Sequence, residues 1–410
     1  MTIKYYAIIN NNKSFYYIRK IKRIFELILS DSRYVTEVIS SNVQFETDIG
    51  YDLEKLILSE TYKLFDIDTI KYLISEGANL QYGGDYLFRL ACYRGYLDVV
   101  KLLIDCGIDV RANNNYAIRS TCESGHLEVV KLLINAGADI YAYNNDAIRS
   151  TSFNGYLDLV KLLISNGADI HANIDEAIRS ASSRGHFEIV KLLINSGANI
   201  RANNDEAVRS ASRNGHINVV KLLIEQGADF TNNDNYAIRM GASNAYLDVV
   251  KLLINLGADV TAKNNYAFRK ASKNGHLNIV NLLINLGVDI AAKNNYALRK
   301  ASMNGHLDIV KLLINLGADI TAKNNYALIK ASLYKNTDII QLLIDNGADI
   351  SVKNNQILKT ASIRGDKDII QLLIDNNIDT TLDNNYAVKI ASEHNNLSTV
   401  ELLLKNGAIL

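Results

Sequence analysis

A repeat of 30 residues runs through most of this sequence and restricts the fold more than any other feature. One ten-residue segment recurs eight times in nearly identical form, weaker copies begin at residues 335, 365 and 395, and a degenerate copy begins at residue 65. Together they make twelve copies without an insertion. A fixed period of this length is typical of solenoids and propellers, in which neighbouring units bury a shared core. The eight strong copies begin at residues 95, 125, 155, 185, 215, 245, 275 and 305.

The apolar pattern inside one copy predicts a helix. In the copy at residue 125, the polar residues Glu128, Lys131 and Asn135 follow the spacing i, i+3, i+7, and the residues between them are apolar. This spacing describes a helix that is buried on nearly every side and has one polar stripe. Gly137 stands where a glycine with left-handed backbone ends a helix, and eleven of the twelve copies have glycine there. The exception is Asn377, and asparagine is the next-best residue for that conformation.

A second helix precedes this one in each copy. Asn115 is its predicted N-cap, because all eleven equivalent positions from Asp85 to Asn385 are Asn or Asp. The residues at positions 121 and 122 are small in every copy, which lets neighbouring helices approach closely. Each unit is therefore two helices joined by a turn and followed by a loop, here Ala138–Asn145. One such pair cannot bury its own apolar faces, so the sequence predicts an all-α solenoid of about 12 stacked units.

The segment GHLEVVKLLI followed by GAD resembles the ankyrin repeat, and the resemblance covers residues 61–410. It implies a non-catalytic protein-interaction scaffold that binds its partner through the concave face of the array. Ankyrin repeats usually have 33 residues, whereas the period here is 30 and Tyr116–Ala117–Ile118–Arg119 replaces T-P-L-H. The residues missing from the shorter period fall in the finger loops that join successive repeats, so we expect these loops to be short. The period, the composition and the N-terminal YYAIINN are similar to the ankyrin proteins of giant, mimivirus-type viruses of amoebae. That similarity implies a viral protein that binds a host or viral protein.

Residues 1–60 do not follow the period, and we expect them to form a separate N-terminal segment before the array at 61–410. The stretch IRKIKRIFELIL at residues 18–29 is basic and then apolar. One interpretation is a helix that caps the first repeat, and the other is a localisation or anion-binding element. The alternative function is a substrate-recruiting adaptor of a ubiquitin ligase, which would bind ligase subunits through residues 1–60.

The composition argues against several classes of protein. Lys plus Arg number 44, as do Asp plus Glu, which disfavours a protein that coats nucleic acid. Three cysteines without C-x-x-C spacing indicate a reducing, intracellular compartment rather than a disulfide framework. No apolar run approaches the roughly 18 residues of a membrane span, and the first residues lack a signal-peptide core. We therefore expect no membrane association and no secretion.

No motif for catalysis, phosphate binding or metal binding occurs in the sequence. Five histidines share one repeat position, and stacked copies lie about one helix diameter apart, roughly 10 Å, too far to share an ion. We expect these histidines to be structural, Cys92 and Cys122 to be small packing residues, and the protein to use no cofactor, metal or small-molecule substrate. The histidines are His126, His186, His216, His276 and His306.

A row of eight arginines allows two interpretations. The guanidinium groups form a groove that grips acidic ligands, or each bonds loop carbonyls or the Asp of the neighbouring GAD segment, such as Asp139. The five donors of a guanidinium suit several acceptors at once. An unchanging residue in a varied unit favours the structural interpretation. The row comprises Arg89, Arg119, Arg149, Arg179, Arg209, Arg239, Arg269 and Arg299.

Binding residues are sought where the copies differ. Positions equivalent to 116, 120 and 123 share one face of the first helix, and position 123 changes from copy to copy. Tyrosine recurs at position 116 and supplies contact area at low entropy cost. Three successive copies also carry lysine at position 120 and at the loop tip (Lys263, Lys293 and Lys323), which predicts a positive strip for an acidic protein partner, unless duplication copied the lysines. Nucleic acid is a weaker candidate because the strip has few aromatic residues, and we expect a monomer. The candidate protein-binding residues are Tyr116, Phe153, Tyr266, Lys270, Tyr296, Lys300, Tyr326 and Lys330.

Overall fold

A computed structural model describes residues 4–9, 15–18, 34–39, 57–63, 67–75 and 86–410. Within these residues it contains four strands and 23 helices. The chain divides into two compact units, residues 1–202 and residues 203–410.

The first unit contains the four strands and the first nine helices. The strands are β1 (Lys4–Ile9), β2 (Phe15–Ile18), β3 (Tyr34–Ile39) and β4 (Ile57–Lys63). The helices are α1 (Ile67–Ser75), α2 (Tyr86–Arg94), α3 (Leu97–Asp105), α4 (Ala112–Ser124), α5 (Leu127–Asn135), α6 (Ala142–Asn154), α7 (Leu157–Ser165), α8 (Ala172–Arg184) and α9 (Phe187–Asn195).

The remaining helices belong to the second unit, apart from the first residue of α10. They are α10 (Ala202–Asn214), α11 (Ile217–Glu225), α12 (Asn232–Ser243), α13 (Leu247–Asn255), α14 (Ala262–Asn274), α15 (Leu277–Asn285), α16 (Ala292–Asn304), α17 (Leu307–Asn315), α18 (Ala322–Leu333), α19 (Thr337–Asp345), α20 (Val352–Arg364), α21 (Lys367–Asp375), α22 (Leu382–Glu393) and α23 (Leu397–Lys405).

The helices from α2 onward alternate as first and second helices of successive copies, and α1 is the second helix of the degenerate first copy. Each second helix has nine residues and lies where the 30-residue pattern predicts it. In α5, Val129, Val130 and Leu133 are buried, while the Lys131 ammonium pairs with the Glu128 carboxylate at 2.7 Å on the exposed stripe. The predicted helical solenoid is therefore confirmed for the repeat array.

The glycine that follows each described second helix from α3 onward, α21 excepted, adopts the predicted left-handed backbone. Gly137 has φ of 90°, and its N–H donates to the Ile134 carbonyl at 2.9 Å while the next N–H, of Ala138, donates to Leu133 at 2.9 Å. These two bonds satisfy carbonyls that the helix end leaves without partners. Asn377, at the equivalent position of a later copy, has φ of 63°. The prediction that asparagine substitutes for glycine here is confirmed.

The strands near the N-terminus form an antiparallel sheet in the order β2-β1-β3-β4. Tyr6 of β1 lies opposite Ile18 of β2 and Glu37 of β3, and the β3–β4 register is irregular between Glu37 and Val38. Segments such as KYYAII and YVTEVI are rich in the aromatic and β-branched residues that favour strands. The all-α prediction did not include this sheet, because the period that carried the prediction is absent there. Ile18, the first residue of the predicted capping helix, ends β2, and the rest of that helix (19–29) lies outside the described residues.

Near the start of nine first helices (α4, α6, α8, α10, α12, α14, α16, α18 and α22), three consecutive residues have a left-handed backbone, and we call them the left-handed turn. In α4 these are Asn113, Asn114 and Asn115, with φ of 54°, 56° and 54°. A left-handed conformation costs an L-residue roughly 1–2 kcal/mol, and Asn and Asp tolerate it best because of their short polar side chains. The predicted N-cap role of Asn115 is wrong, because its side chain bonds a residue outside its own helix. Its side chain is buried, and Oδ1 accepts the N–H of Asp139 at 2.8 Å.

That bond joins the loop before the first helix to the loop after the second helix, so it closes the pair. The core of each pair consists of small and branched side chains. Ala117, Ile118, Thr121 and Cys122 of α4 are all at most 2% exposed. Full burial of a residue such as Ile118 contributes roughly 1.5–3 kcal/mol. The small residues at positions 121 and 122 thus occupy the buried side of the first helix, as the sequence predicts.

Candidate functional site

The arginine row holds the left-handed turns from inside the same copy. In α14 the Arg269 guanidinium donates from Nε to the Asn264 carbonyl at 2.8 Å and from Nη2 to the Lys263 carbonyl at 3.0 Å. Arg299 bonds the equivalent carbonyls in α16 at 2.8 and 3.0 Å. The sequence left open whether these arginines grip a ligand or bond the loop, and the observed acceptors are loop carbonyls. The same Nε bond to the residue five positions earlier is made by Arg119, Arg149, Arg179, Arg209 and Arg239.

In the second unit, tyrosine rings and guanidinium groups alternate along the first helices. The Arg269 Cζ lies 5.8 Å from the Tyr266 ring centroid and 5.1 Å from that of Tyr296. The Arg299 Cζ in turn lies 5.9 Å from the Tyr296 ring and 5.2 Å from that of Tyr326. A cation within about 6 Å of a ring centroid is attracted to the ring face. Each of these arginines therefore links its own helix to the tyrosine of the next copy.

In two copies of the first unit, the carboxylates of Asp146 and Glu176 replace the tyrosine at this position. The Arg149 guanidinium contacts Asp146 of its own helix at 3.1 Å and Glu176 of the next first helix at 2.6 Å. Arg119 contacts Asp146 at 3.4 Å. Partial burial raises the pKa of Glu176, but hydrogen bonds from Asn173 and Arg149 and the nearby charges outweigh it, so the pKa lies below its ordinary value. Position 116 is therefore part of the contacts between copies, with either a ring or a carboxylate facing the arginine.

The candidate tyrosines are accordingly less free than the sequence implied. Tyr266, Tyr296 and Tyr326 are half-buried between cations, whereas Tyr116 is 40% exposed and lies near Arg89 and Arg119. This pairing was not predicted from the sequence because the arginine and the next tyrosine lie 27 positions apart. The sequence did contain a signal for the pairing, because the tyrosine at position 116 and the arginine at position 119 recur together in several copies.

The three candidate lysines lie beside the tyrosines. The Nζ atoms of Lys270 and Lys330 are 5.3 and 5.2 Å from the ring centroids of Tyr266 and Tyr326. Lys300 Nζ lies 3.4 Å from the Met303 sulfur. These side chains form one row on the first helices of three successive copies. We call it the lysine–tyrosine face, and it comprises Tyr266, Lys270, Tyr296, Lys300, Tyr326 and Lys330.

The lysines at the loop tips occupy a different environment. Lys263, Lys293 and Lys323 are exposed first residues of left-handed turns, with φ of 53°, 53° and 55°. Lys263 Nζ pairs with Asp234 at 2.7 Å, and this contact lowers the pKa of the Asp234 carboxyl. Their carbonyls matter to the scaffold, because Lys263 and Lys293 each accept a bond from the arginine of their own copy. In the described residues, no side-chain hydrogen bond, ion pair or cation–π contact joins the loop-tip lysines to the lysine–tyrosine face.

The variable position 123 combines a fixed backbone with a changing side chain. The His126 Nε2 lies 3.0 Å from the Tyr93 carbonyl oxygen, and His186 makes the same contact with Phe153 at 3.0 Å. His276 and His306 repeat it on the carbonyls of residues 243 and 273 at 2.9 Å. These bonds confirm the structural role predicted for the four histidines. We call the side chains at this position the variable row, and it comprises Tyr93, Glu123, Phe153, Ser183, Arg213, Ser243, Lys273, Met303, Leu333, Ile363 and Glu393.

Several large apolar members of the variable row lie at the surface. Tyr93 is 51% exposed, Phe153 is 42% exposed and Ile363 is 39% exposed. The candidate Phe153 is covered on one face, because the Arg184 Cζ lies 4.0 Å from its ring centroid. The structure thus offers these side chains to solvent while it fixes the backbone beneath them.

Two of the cysteines are core residues. Burial raises the pKa of the Cys92 thiol to about 12, and it also raises that of Cys122, to which nearby Asp146 contributes. Neither thiol forms a thiolate at neutral pH. They fill the small-residue positions predicted for them, whereas Cys106 is exposed. Among the side chains that the structure describes, no group of three His, Cys, Asp or Glu residues could hold a metal ion.

A family model for ankyrin repeats (three copies) matches residues 60–144, 146–234, 235–324, 268–354 and 328–410. Among solved structures, the human ASB11 ankyrin repeat domain is 21% identical, with a TM-score of 0.42. The match covers 51% of this chain and 95% of that one. No curated protein matches the sequence. None of the described helices has the length and apolar character needed to cross a membrane.

Proposed function

The chain belongs to the ankyrin-repeat family, and from this premise we propose that it is a non-catalytic scaffold that binds another protein through the first helices of its repeats. In each unit the contact surface is that unit's part of the variable row, and in the second unit it also includes the lysine–tyrosine face. No reaction is assigned to it, because the buried thiols are protonated and the recurring histidines are engaged with backbone carbonyls.

The observation that carries this proposal is the variable row. Four of the recurring histidines bond the main-chain carbonyl at position 123, so the bond does not depend on which side chain that residue carries. The core and the turns constrain the neighbouring positions, but not this one. A scaffold with fixed backbone and free side chains can present a different surface in each copy. Exposed aromatic residues such as Tyr93 are typical anchors of protein interfaces.

The finer parts of the proposal concern the setting. The 30-residue period and the N-terminal YYAIINN support a viral protein that acts inside a host cell on a host or viral protein. We propose that the chain is a monomer, and that the partner has an acidic surface because the lysine–tyrosine face is positive. The alternative remains an adaptor that recruits substrates to a ubiquitin ligase through residues 1–60.

The test compares variants in affinity purification followed by mass spectrometry. Tyr93→Ser with Phe153→Ser removes two anchors, and serine already occupies the same position at Ser183 and Ser243, so the fold should tolerate it. Lys101→Ser with Lys161→Ser is the matched control, because these exposed lysines lie on second helices. A partner retained by the wild type and the control but lost by the first variant supports the proposal. Partners that bind the first variant as well as they bind the wild type contradict the proposal. Ligase subunits captured by residues 1–60 alone would favour the adaptor.

A further inference from the structure

Two arginines of the first unit differ in charge balance from two arginines of the second unit. In the first unit, Arg119 and Arg149 contact carboxylates at 3.4 and 2.6 Å. In the second unit, Arg269 and Arg299 are each only 6% exposed, yet their hydrogen bonds go to neutral carbonyls and their other neighbours are tyrosine rings. Neither forms an ion pair with any described carboxylate. Burial accordingly lowers the pKa of both guanidinium groups, which the neighbouring tyrosines partly oppose.

Lysines in α14, α16 and α18 add to the positive charge of these two arginines. Lys270, Lys300 and Lys330 stand where four earlier copies carry serine, and none forms an ion pair within the described part of the chain. Residues 263–335 hold eleven basic and three acidic residues. Cations in partly buried surroundings are destabilising without counter-charges. A carboxylate brought by a partner would relieve this repulsion, as Asp146 and Glu176 do within the first unit.

We propose that the lysine–tyrosine face of the second unit binds an extended acidic segment of a partner protein, whose carboxylates contact Lys270, Lys300 and Lys330. This inference rests on the proposed scaffold function and names the partner chemistry of part of its surface. The lysines contact the segment directly, and Arg269 and Arg299 add positive potential from beneath. Packed helices lie roughly 8–10 Å apart, and an extended chain advances about 3.3 Å per residue. An acidic residue at every third position therefore meets one lysine per copy.

A protein segment fits this face better than nucleic acid does. Single strands without sequence preference are held largely by bases stacked on free aromatic faces. Here the Tyr266 ring lies between the Arg239 and Arg269 guanidinium groups, with Cζ atoms 5.0 and 5.8 Å from its centroid. Tyr296 lies between Arg269 and Arg299 in the same way. The rings already have cations as neighbours, so the face offers charge rather than a stacking platform.

The experiment measures binding of synthetic probes to the full chain. The probe is a labelled peptide with glutamate at every third position and serine elsewhere, compared with its glutamine counterpart and with oligothymidylate of equal length. Lys270→Ser with Lys300→Ser and Lys330→Ser is the test variant, since serine occupies these positions at Ser120 and Ser150. The matched control, also minus three charges, replaces exposed lysines of second helices: Lys221→Ser, Lys251→Ser and Lys311→Ser.

The glutamate peptide should bind the wild type and the control equally. It should bind the test variant about tenfold more weakly, because each exposed ion pair contributes a factor of a few. Its affinity should also fall with added salt, and the glutamine peptide should not bind. Absence of glutamate-peptide binding, an equal loss in the control, or tighter binding of oligothymidylate would overturn the proposal. The scaffold proposal would survive such a result if the natural partner still required Tyr93 and Phe153. Circular dichroism of all variants verifies that they fold.

Discussion

Arg269→Ala is expected to destabilise the repeats around α14 by about 2–4 kcal/mol. The guanidinium donates to two carbonyls at 2.8 and 3.0 Å and has two tyrosine rings within cation–π distance. A hydrogen bond to a charged group contributes about 1.5–3 kcal/mol, and a cation–π contact about 0.5–1 kcal/mol. The desolvation of a buried charge without a carboxylate partner opposes these gains. The expected net loss is therefore smaller than the sum of the contacts.

The chain itself provides the matched substitution. Ile329 occupies the equivalent position of a later copy and is 6% exposed, while Lys323, Asn324 and Asn325 keep the left-handed turn with φ of 55°, 56° and 53°. The turn therefore forms without an arginine when an apolar side chain fills the space. Arg269→Ile should cost about 1 kcal/mol or less, because it removes the buried charge as well as the hydrogen bonds.

The assay combines urea unfolding, followed by circular dichroism, with hydrogen exchange of peptides that span the turn and α14. The local measurement is needed because repeat arrays can unfold in parts rather than in one step. Faster exchange confined to these peptides and their neighbours is expected for Arg269→Ala. The reasoning is refuted if Arg269→Ala stays within about 0.5 kcal/mol of the wild type, or if Arg269→Ile is as destabilising as Arg269→Ala.

Three further predictions test other features. Gly197 has φ of 95°, so Gly197→Val should destabilise the protein by a few kcal/mol in thermal unfolding. Gly197→Asn should cost much less, because Asn377 occupies the equivalent position of a later copy. Equal effects of the two substitutions would contradict the capping role. The folded-state pKa of Glu176 is lowered, so its stabilising contribution is complete above the unfolded value of about 4.3 and is lost as pH falls through the folded value. Melting temperatures of Glu176→Gln should therefore fall less steeply in acid than those of the wild type, and parallel curves would contradict this. A thiol reagent should label Cys106 rapidly in the native chain and the other two cysteines only on unfolding; rapid labelling of all three would show that the core is open.

The sequence was sufficient for the parts of the fold that depend on local pattern. The second helices, the glycine after each and the small residues at positions 121 and 122 follow from apolar spacing and backbone preference alone. The left-handed turn did not, because three consecutive non-glycine residues with positive φ, such as Asn113–Asn115, are stable only with partners elsewhere in the unit. The bond from Asp139 to Asn115 spans 24 positions, and no local preference encodes it.

The candidate site was only partly predictable for the same reason. The recurrence of Tyr and Arg was visible, but their alternation across copies depends on how neighbouring helices pack. Position 116 therefore resembled a free surface in the sequence, whereas Asp146 and Tyr296 face arginines in the structure. Position 123 was correctly identified as variable. Its side chain can vary because the histidine of the next copy bonds the main-chain carbonyl of that residue.

The histidine contacts also bear on how such a chain changes over generations. His276 and His306 bond the carbonyls of residues 243 and 273, and a carbonyl is the same whatever side chain its residue carries. After unequal crossing-over between repeats, this bond thus depends on whether the following copy carries the histidine and not on the side chain at position 123 of the preceding copy. A gene built from such copies can alter its length and its binding residues in a single recombination event, while a junction that brings a histidine to this position retains the bond.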